Sequence, residues 1–171
     1  MNILLLTTQF PPFWGGVEKA CYDTAKYLST LGDKVFVLTL STTLFKGHSP
    51  RTPVWNVKLE NVKIYRLSPP KPFKSPVTII PYLAFKAWKF IKRENIDVII
   101  THEEISALTA AILRKLVKKP IVYRASGFAF LCPKSSICNE KRIVEKGICN
   151  SFSTLECLKC LNGNILYILK H

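Results

Sequence analysis

Residues Gln9–Glu18 read Q-F-P-P-F-W-G-G-V-E, and this stretch decides the fold. An apolar run, Ile3–Leu6, precedes it, and apolar residues with helical spacing follow it. This order predicts a strand, a tight loop and the start of a helix. Gly15 and Gly16 carry no Cβ, so another group can approach the backbone closely there. Because ligands of parallel sheets bind beyond the carboxyl ends of strands, the loop is a candidate anion-binding site, with an ordinary strand-to-helix turn as the alternative.

Outward from this stretch, strands and helices alternate as far as residue 125. The predicted strands are 2–8, 34–40, 62–67, 96–101 and 121–125, and the predicted helices are 17–31, 76–95 and 106–116. The unbroken apolar runs of the first two strands are typical of strands that are buried on both faces of a sheet. The alternation predicts a doubly wound, Rossmann-like parallel α/β sheet with right-handed crossovers.

Composition limits the classes of function. The chain has 171 residues, enough for a single domain spanning 1–171, and its net charge of +14 suggests anionic partners. No nucleic-acid-binding module accompanies the charge, so no nucleic-acid partner is predicted. The G-x-G-x-x-G pattern of dinucleotide-dependent oxidoreductases is missing. With no run of eighteen apolar residues and no basic leader, the chain is expected in the cytoplasm.

Two further features suggest contacts with ligands. The predicted helix 76–95 mixes aromatic and lysine side chains, with Phe85, Trp88 and Phe90 expected on one side. That mixture fits a helix at the inner membrane surface, and an ordinary helix packed on the sheet fits it too. Pro81 is expected either to kink this helix or to mark its start. His102 follows the strand 96–101, at the edge of the sheet where a ligand is expected.

The ordered set of motifs resembles the N-terminal domain of the family 4 glycosyltransferases. The set is M-N-I-L-L-L-T-T-Q-F-P-P-x-x-G-G-V-E, then I-D-V-I-I-T-H, then K-P-I-V-Y-R-A-S-G-F-A-F-L-C-P. The resemblance implies the GT-B architecture, in which two Rossmann-like domains face each other across a cleft. It also implies transfer of a sugar from a nucleotide-sugar donor to an acceptor, with no metal essential to catalysis. The N-terminal domain of the family mostly binds the acceptor, expected here to be lipid-linked or a polysaccharide.

The resemblance assigns roles to particular residues. Gly15 and Gly16 match the loop that closes over the donor diphosphate and sugar. His102 matches a histidine that follows the fourth strand, which makes it a candidate for the cleft. Many relatives carry His-Asp where this chain has Ser126-Gly127, so Ser126 is a second cleft candidate that cannot titrate near neutral pH.

The resemblance covers only the acceptor half of the family's architecture. The donor-binding C-terminal domain is expected to be absent, and the chain is expected to be inactive alone. Three explanations fit: a fragment, a subunit that pairs with a separate donor domain, or a non-catalytic binding module.

Five of the six cysteines lie in the segment 127–163, which is predicted to be a cysteine-rich loop insertion. These residues are Cys132, Cys138, Cys149, Cys157 and Cys160. The last two have the C-x-x-C spacing of metal ligands, so four of the five thiolates could hold a structural zinc ion. Disulfides and reduced, buried thiols are the alternatives.

Overall fold

The computed structural model describes residues 1–12, 15–41, 59–73 and 75–126, all within the unit Met1–Ser126. Its strands are β1 (Asn2–Leu6), β2 (Lys34–Leu40), β3 (Val62–Leu67), β4 (Val98–Thr101) and β5 (Ile121–Tyr123). Its helices are α1 (Gly16–Thr30), α2 (Pro76–Glu94) and α3 (Glu104–Leu116), with a 3₁₀ turn, Lys71–Phe73, before α2. The strands form one parallel sheet in the order β3-β2-β1-β4-β5. The predicted Rossmann-like parallel sheet is therefore confirmed.

Two hydrophobic layers cover the two faces of the sheet. Alternate strand residues such as Leu4 and Phe36 pack with residues of α2 and α3 on one face. Their neighbours, such as Leu5 and Val35, pack with α1 on the other face, where Cys21 is a fully buried core residue. Because successive strand side chains point to opposite faces, unbroken apolar strands require helices on both sides.

The observed strands differ in length from the predicted ones where a backbone N–H bonds to a side chain or to the end of a helix instead of to a neighbouring strand. β2 and β3 have the predicted bounds. β1 ends at Leu6 rather than at residue 8, and the N–H of Thr8 donates to a carboxylate oxygen of Glu103. β4 begins at Val98 rather than at residue 96, because the N–H of Ile96 still donates to the Ile91 carbonyl at the end of α2.

Helix α2 contains Pro81 but does not begin there. It begins five residues earlier, at Pro76, and the Ser75 hydroxyl caps it by accepting from the N–H of Thr78. Pro81 has no N–H to donate to the carbonyl of Val77, and Val77 is 74% exposed, so water can satisfy that oxygen.

The expected grouping of Phe90 with Phe85 and Trp88 is wrong. Phe90 is buried and makes edge contacts with the rings of Phe36 and Tyr65 in the core. It follows Trp88 by two residues, which is about 200° around a helix, so the two side chains point in nearly opposite directions. Within the described ranges, no helix is long and apolar enough to cross a membrane.

Candidate functional site

The glycine-containing loop leaves the carboxyl end of β1 and is held by three side chains. The Thr8 N–H donates to Oε1 of Glu103, at 2.8 Å. The Thr7 hydroxyl donates to the Gln9 carbonyl, at 2.9 Å. The guanidinium of Arg66, on β3, donates to the Pro11 carbonyl. Contacts from β1, β3 and the start of α3 therefore fix the first half of the loop.

Glu103 joins the loop to the start of α3. While Oε1 accepts from Thr8, Oε2 accepts from the N–H groups of Ile105 and Ser106, at 3.0 and 3.2 Å. The Ser106 hydroxyl faces the Glu103 N–H, at 3.4 Å, which completes a capping box. Burial raises the pKa of the Glu103 carboxyl, and the hydrogen bonds it accepts oppose that shift. Sequence reasoning missed this role, although a carboxylate three residues before a serine at a helix start was an available signal.

Gly15 and Gly16 have different structural reasons to lack a side chain. Gly15 is the N-cap of α1 in an extended conformation. A Cβ there would lie 2.4 Å from Oε2 of Glu18, a residue only 7% exposed in the first turn of the helix. Around Gly16, a Cβ would meet no atom of the described residues within 4 Å. Gly15 thus makes room for Glu18, and within the described ranges the backbone at Gly16 is uncovered at the helix start.

His102 lies at the carboxyl end of β4, the strand adjacent to β1. Its side chain is buried, at 1% exposure, and neither ring nitrogen has a hydrogen-bond partner among the described residues. Burial, and secondly the positive charge of Arg124, lower its pKa from 6.5 to about 4. At neutral pH His102 is therefore a neutral imidazole with both nitrogens held out of bulk water.

Ser126 lies three residues beyond β5. It is exposed, and its hydroxyl donates to the Arg124 carbonyl at 3.5 Å. Since β1, β4 and β5 are parallel neighbours, the residues that follow them share one edge of the sheet. The topology therefore brings Gly16, His102 and Ser126 to the same edge.

The structure does not test the predicted metal ligands. Cys132, Cys138, Cys149, Cys157 and Cys160 fall outside the described residues, as does the whole predicted insertion 127–163. Within the part of the chain that the structure describes, no group of three or more histidine, cysteine, aspartate or glutamate residues could hold a metal ion. The zinc hypothesis stays a prediction.

A groove of about 480 Å³ begins at Gly16 and runs along α1. Its lining residues are Gly16, Lys19, Ala20, Asp23, Thr24, Tyr27, Leu28, Ile100 and Arg124. Lys19 donates to the Asp23 carboxylate at 2.6 Å, whereas Arg124 is in no salt bridge within the described ranges. Arg124 follows β5 directly and was not among the predicted site residues. Its position, just beyond a strand's carboxyl end, was the available signal.

Comparison with known proteins identifies the family of this chain. The model of Glycosyltransferase Family 4 matches residues 14–128, which is more than half of the chain. The chain belongs to glycosyltransferase family 4. The resemblance seen in the sequence is therefore confirmed, and the sheet described above corresponds to one half of the GT-B architecture.

Solved structures agree on the fold. A glycosyltransferase from Rickettsia africae ESF-5 is 21% identical, with a TM-score of 0.51 over 74% of this chain and 30% of that protein. Sucrose-phosphate synthase from Thermosynechococcus elongatus is 16% identical, with a TM-score of 0.60 over 82% of this chain and 36% of that protein. The family 4 chain thus spans about a third of the length of these two proteins. No curated protein sequence matches it.

Proposed function

We propose that this chain is the acceptor-side domain of a glycosyltransferase that moves a sugar, of the hexose type, from a nucleotide-sugar donor to a lipid-linked or polysaccharide acceptor. The single observation that supports this most is the geometry of Gly16. The first half of the loop is fixed, and yet no residue that the structure describes occupies the space around the Gly16 Cα. Such a surface accepts a ligand without rearranging the backbone.

Electrostatics favour a phosphate as that ligand. The first N–H groups of α1 have no partner within the helix, and the positive end of the helix dipole lies there. Arg124 lines the same groove as Gly16 and adds positive charge, whereas the charge of Lys19 in that groove is offset by its ion pair with Asp23. A donor diphosphate placed at Gly16 gains hydrogen bonds from the backbone and charge from Arg124.

The acceptor and its location are inferred from charge. The net charge of +14 fits a phosphorylated lipid acceptor and contact with the inner face of a membrane. We place the reaction on the cytoplasmic side, in the synthesis of a cell-envelope glycan. In this proposal a C-terminal donor domain, in the same protein or in a separate subunit, supplies the second wall of the cleft.

Reconstitution tests this function directly. The chain is combined with the donor domain encoded immediately downstream, radiolabelled UDP-sugars or GDP-sugars, and lipid or polysaccharide acceptors. Transfer of label to the acceptor is measured. Transfer is expected only when both halves are present, and substitution of Gly16 by valine should reduce it, because the side chain fills the open space. The matched control is Thr30→Val, which places the same side chain at an exposed position at the far end of α1 and should leave transfer unchanged.

Ser126 favours a second candidate, a non-catalytic binding module. A serine hydroxyl cannot supply the titrating imidazole that many relatives carry at this place. In this case the folded chain binds the acceptor glycan or lipid without any transfer in the reconstituted mixture. Absence of a donor domain downstream, together with no transfer using any neighbouring gene product, would reject the enzyme in favour of this module.

A further inference from the structure

Along its outer side α2 carries three aromatic residues, each followed four residues later by a lysine; Phe85 is half-exposed, whereas Tyr82 and Trp88 are partly buried and also pack against the core. The ammonium of Lys86 lies over the Tyr82 ring at 5.6 Å, that of Lys89 over the Phe85 ring at 4.5 Å, and that of Lys92 over the Trp88 ring at 4.3 Å. We call these six residues the lysine–aromatic face. The regular spacing places aromatic bodies and ammonium groups along one side of the helix.

This face presents apolar surface to water. Phe85 is 49% exposed, and its ring lies 6.2 Å from that of Trp88. Val77, one turn beyond the face toward the start of the helix, is still more exposed. The opposite side of α2 already supplies the core, where Leu83 and Ala87 are fully buried. Packing of this fold therefore does not require an aromatic ring at position 85.

The positive charge of the face is not neutralised. Helix α2 contains one acidic residue, Glu94, and its carboxylate accepts from Arg93 at 2.8 Å. In the part of the chain that the structure describes, no carboxylate forms a salt bridge with Lys86, Lys89 or Lys92. Three ammonium groups therefore remain available to an external anion.

The start of α2 lies at the edge of the sheet that carries the candidate site. Helix α2 connects β3 to β4, two parallel strands, so it must run opposite to the strands and begin near their carboxyl ends. His102 and the glycine-containing loop lie at that same edge. A flat partner bound along α2 would therefore extend toward the site.

We propose that the lysine–aromatic face binds the surface of an anionic lipid bilayer. Lysines attract the headgroups, and the aromatic bodies insert at the boundary between headgroups and acyl chains. Nucleic acid also attracts lysines, but the half-exposed phenylalanine and the valine beyond it favour a partner with an apolar layer. The inference rests on the proposed function, since it explains how a lipid-linked acceptor reaches this domain.

Vesicle sedimentation of the full chain tests the proposal. The probes are phosphatidylcholine vesicles with and without roughly one-third phosphatidylglycerol. Wild type should bind the anionic vesicles only. Lys86→Gln, Lys89→Gln and Lys92→Gln together should weaken binding about 100-fold, because each lysine near an anionic surface contributes roughly fivefold. Phe85→Ser should weaken it about fivefold, through lost apolar insertion.

Matched controls distinguish binding by this face from attraction by the net positive charge of the whole chain. Gln substitutions at Lys26, Lys34 and Lys118 remove the same charge from α1, the start of β2 and the segment after α3, and should change vesicle binding by less than about threefold. An equal loss in this control, or equal binding to neutral vesicles, overturns the proposal. The proposal is also overturned if binding to RNA is measured and the triple α2 variant loses that binding while it still binds vesicles. The sedimentation assay contains no sugar donor, so its result is independent of the reconstituted transfer assay. Transfer in that assay without vesicle binding in this one would reject the lysine–aromatic face alone. Vesicle binding without transfer would reject only the proposed reaction.

Discussion

Protonation of His102 should destabilise the folded protein in mild acid. The imidazole is buried beside a positive charge, and its pKa falls from 6.5 to about 4 on folding. A group whose pKa is lowered in the folded state binds its proton more readily in the unfolded chain. The stability that depends on neutral His102 is therefore present above pH 6.5 and is lost as the pH falls toward 4.

The size of the effect follows from the shift. One pKa unit corresponds to about 1.4 kcal/mol, so a shift from 6.5 to about 4 corresponds to about 3 kcal/mol in all. At pH 5 the linkage relation gives a loss of about 2 kcal/mol relative to pH 8. This is a large part of the 5–15 kcal/mol that is roughly typical of whole domains, so it should be visible in ordinary denaturation curves.

The assay compares wild type with His102→Phe across the pH range. Urea unfolding gives the free energy of unfolding of each protein at several pH values between 4 and 8, roughly the window in which the shifted group titrates. Phenylalanine keeps the ring and removes the titration. The difference in free energy between the two proteins should therefore change by about 2 kcal/mol between pH 8 and pH 5, wild type losing more. Glutamine at this position serves as the alternative where phenylalanine does not fold.

Two results would refute this reasoning. One is a free-energy difference that stays constant from pH 8 to pH 5. The other is an imidazole proton resonance of His102 that titrates near 6.5 in the folded protein. Arg124→Gln is an internal check, because removing the second cause should raise the pKa of His102 while burial still holds it below 6.5.

Three further predictions concern the loop and the cysteines. Glu103→Gln should lower the free energy of unfolding by about 1–2 kcal/mol, since an amide has one oxygen and cannot accept from Thr8 and cap α3 at once. Burial raises the pKa of the Glu103 carboxyl, so the difference between wild type and variant should shrink as the pH rises above 4.5. A difference that is independent of pH would argue against the raised pKa. Gly15→Ala should destabilise by about 0.5–1 kcal/mol, because alanine is a poorer N-cap and its Cβ displaces the end of the Glu18 side chain, while Gly16→Ala should leave stability unchanged or raise it by up to about 1 kcal/mol and weaken donor binding; equal thermal shifts for the two variants would contradict this difference. If the cysteines of 127–163 hold zinc, elemental analysis of purified protein should find about one equivalent, and less than roughly a tenth would exclude a structural site.

The sequence predicted those parts of the fold that depend on periodicity. The apolar run of β2 and the alternating apolar pattern of β3 located both strands to the residue, because a strand buried on both faces leaves a continuous apolar signal and a half-buried strand leaves an alternating one. Helix α2 was recognised as amphipathic, but its aromatic residues were assigned to one side. Residue type does not reveal which aromatic is buried, whereas angular position does, and counting around the helix separates Phe90 from Phe85 and Trp88.

The candidate site was harder to predict, because its geometry depends on contacts between residues far apart in the chain. Position after β4 was enough to single out His102, yet burial and the charge of Arg124, which determine its protonation, come from the folded structure. The hydrogen bond from Thr8 to Glu103 crosses 95 positions in the chain. Sequence reasoning missed both parts of the role of Glu103, the cap of α3 and the bond that holds the end of β1.

The two adjacent glycines illustrate why a motif underdetermines a mechanism. In the sequence Gly15 and Gly16 are equivalent, and either could be the point where a ligand approaches. In the folded chain a Cβ at Gly15 would meet the end of the Glu18 side chain, whereas a Cβ at Gly16 would meet none of the residues that the structure describes. The two glycines therefore differ in surroundings that the sequence does not distinguish. Gly15 leaves room for the buried Glu18 side chain against the helix start, and the role of both glycines in binding a donor stays a prediction.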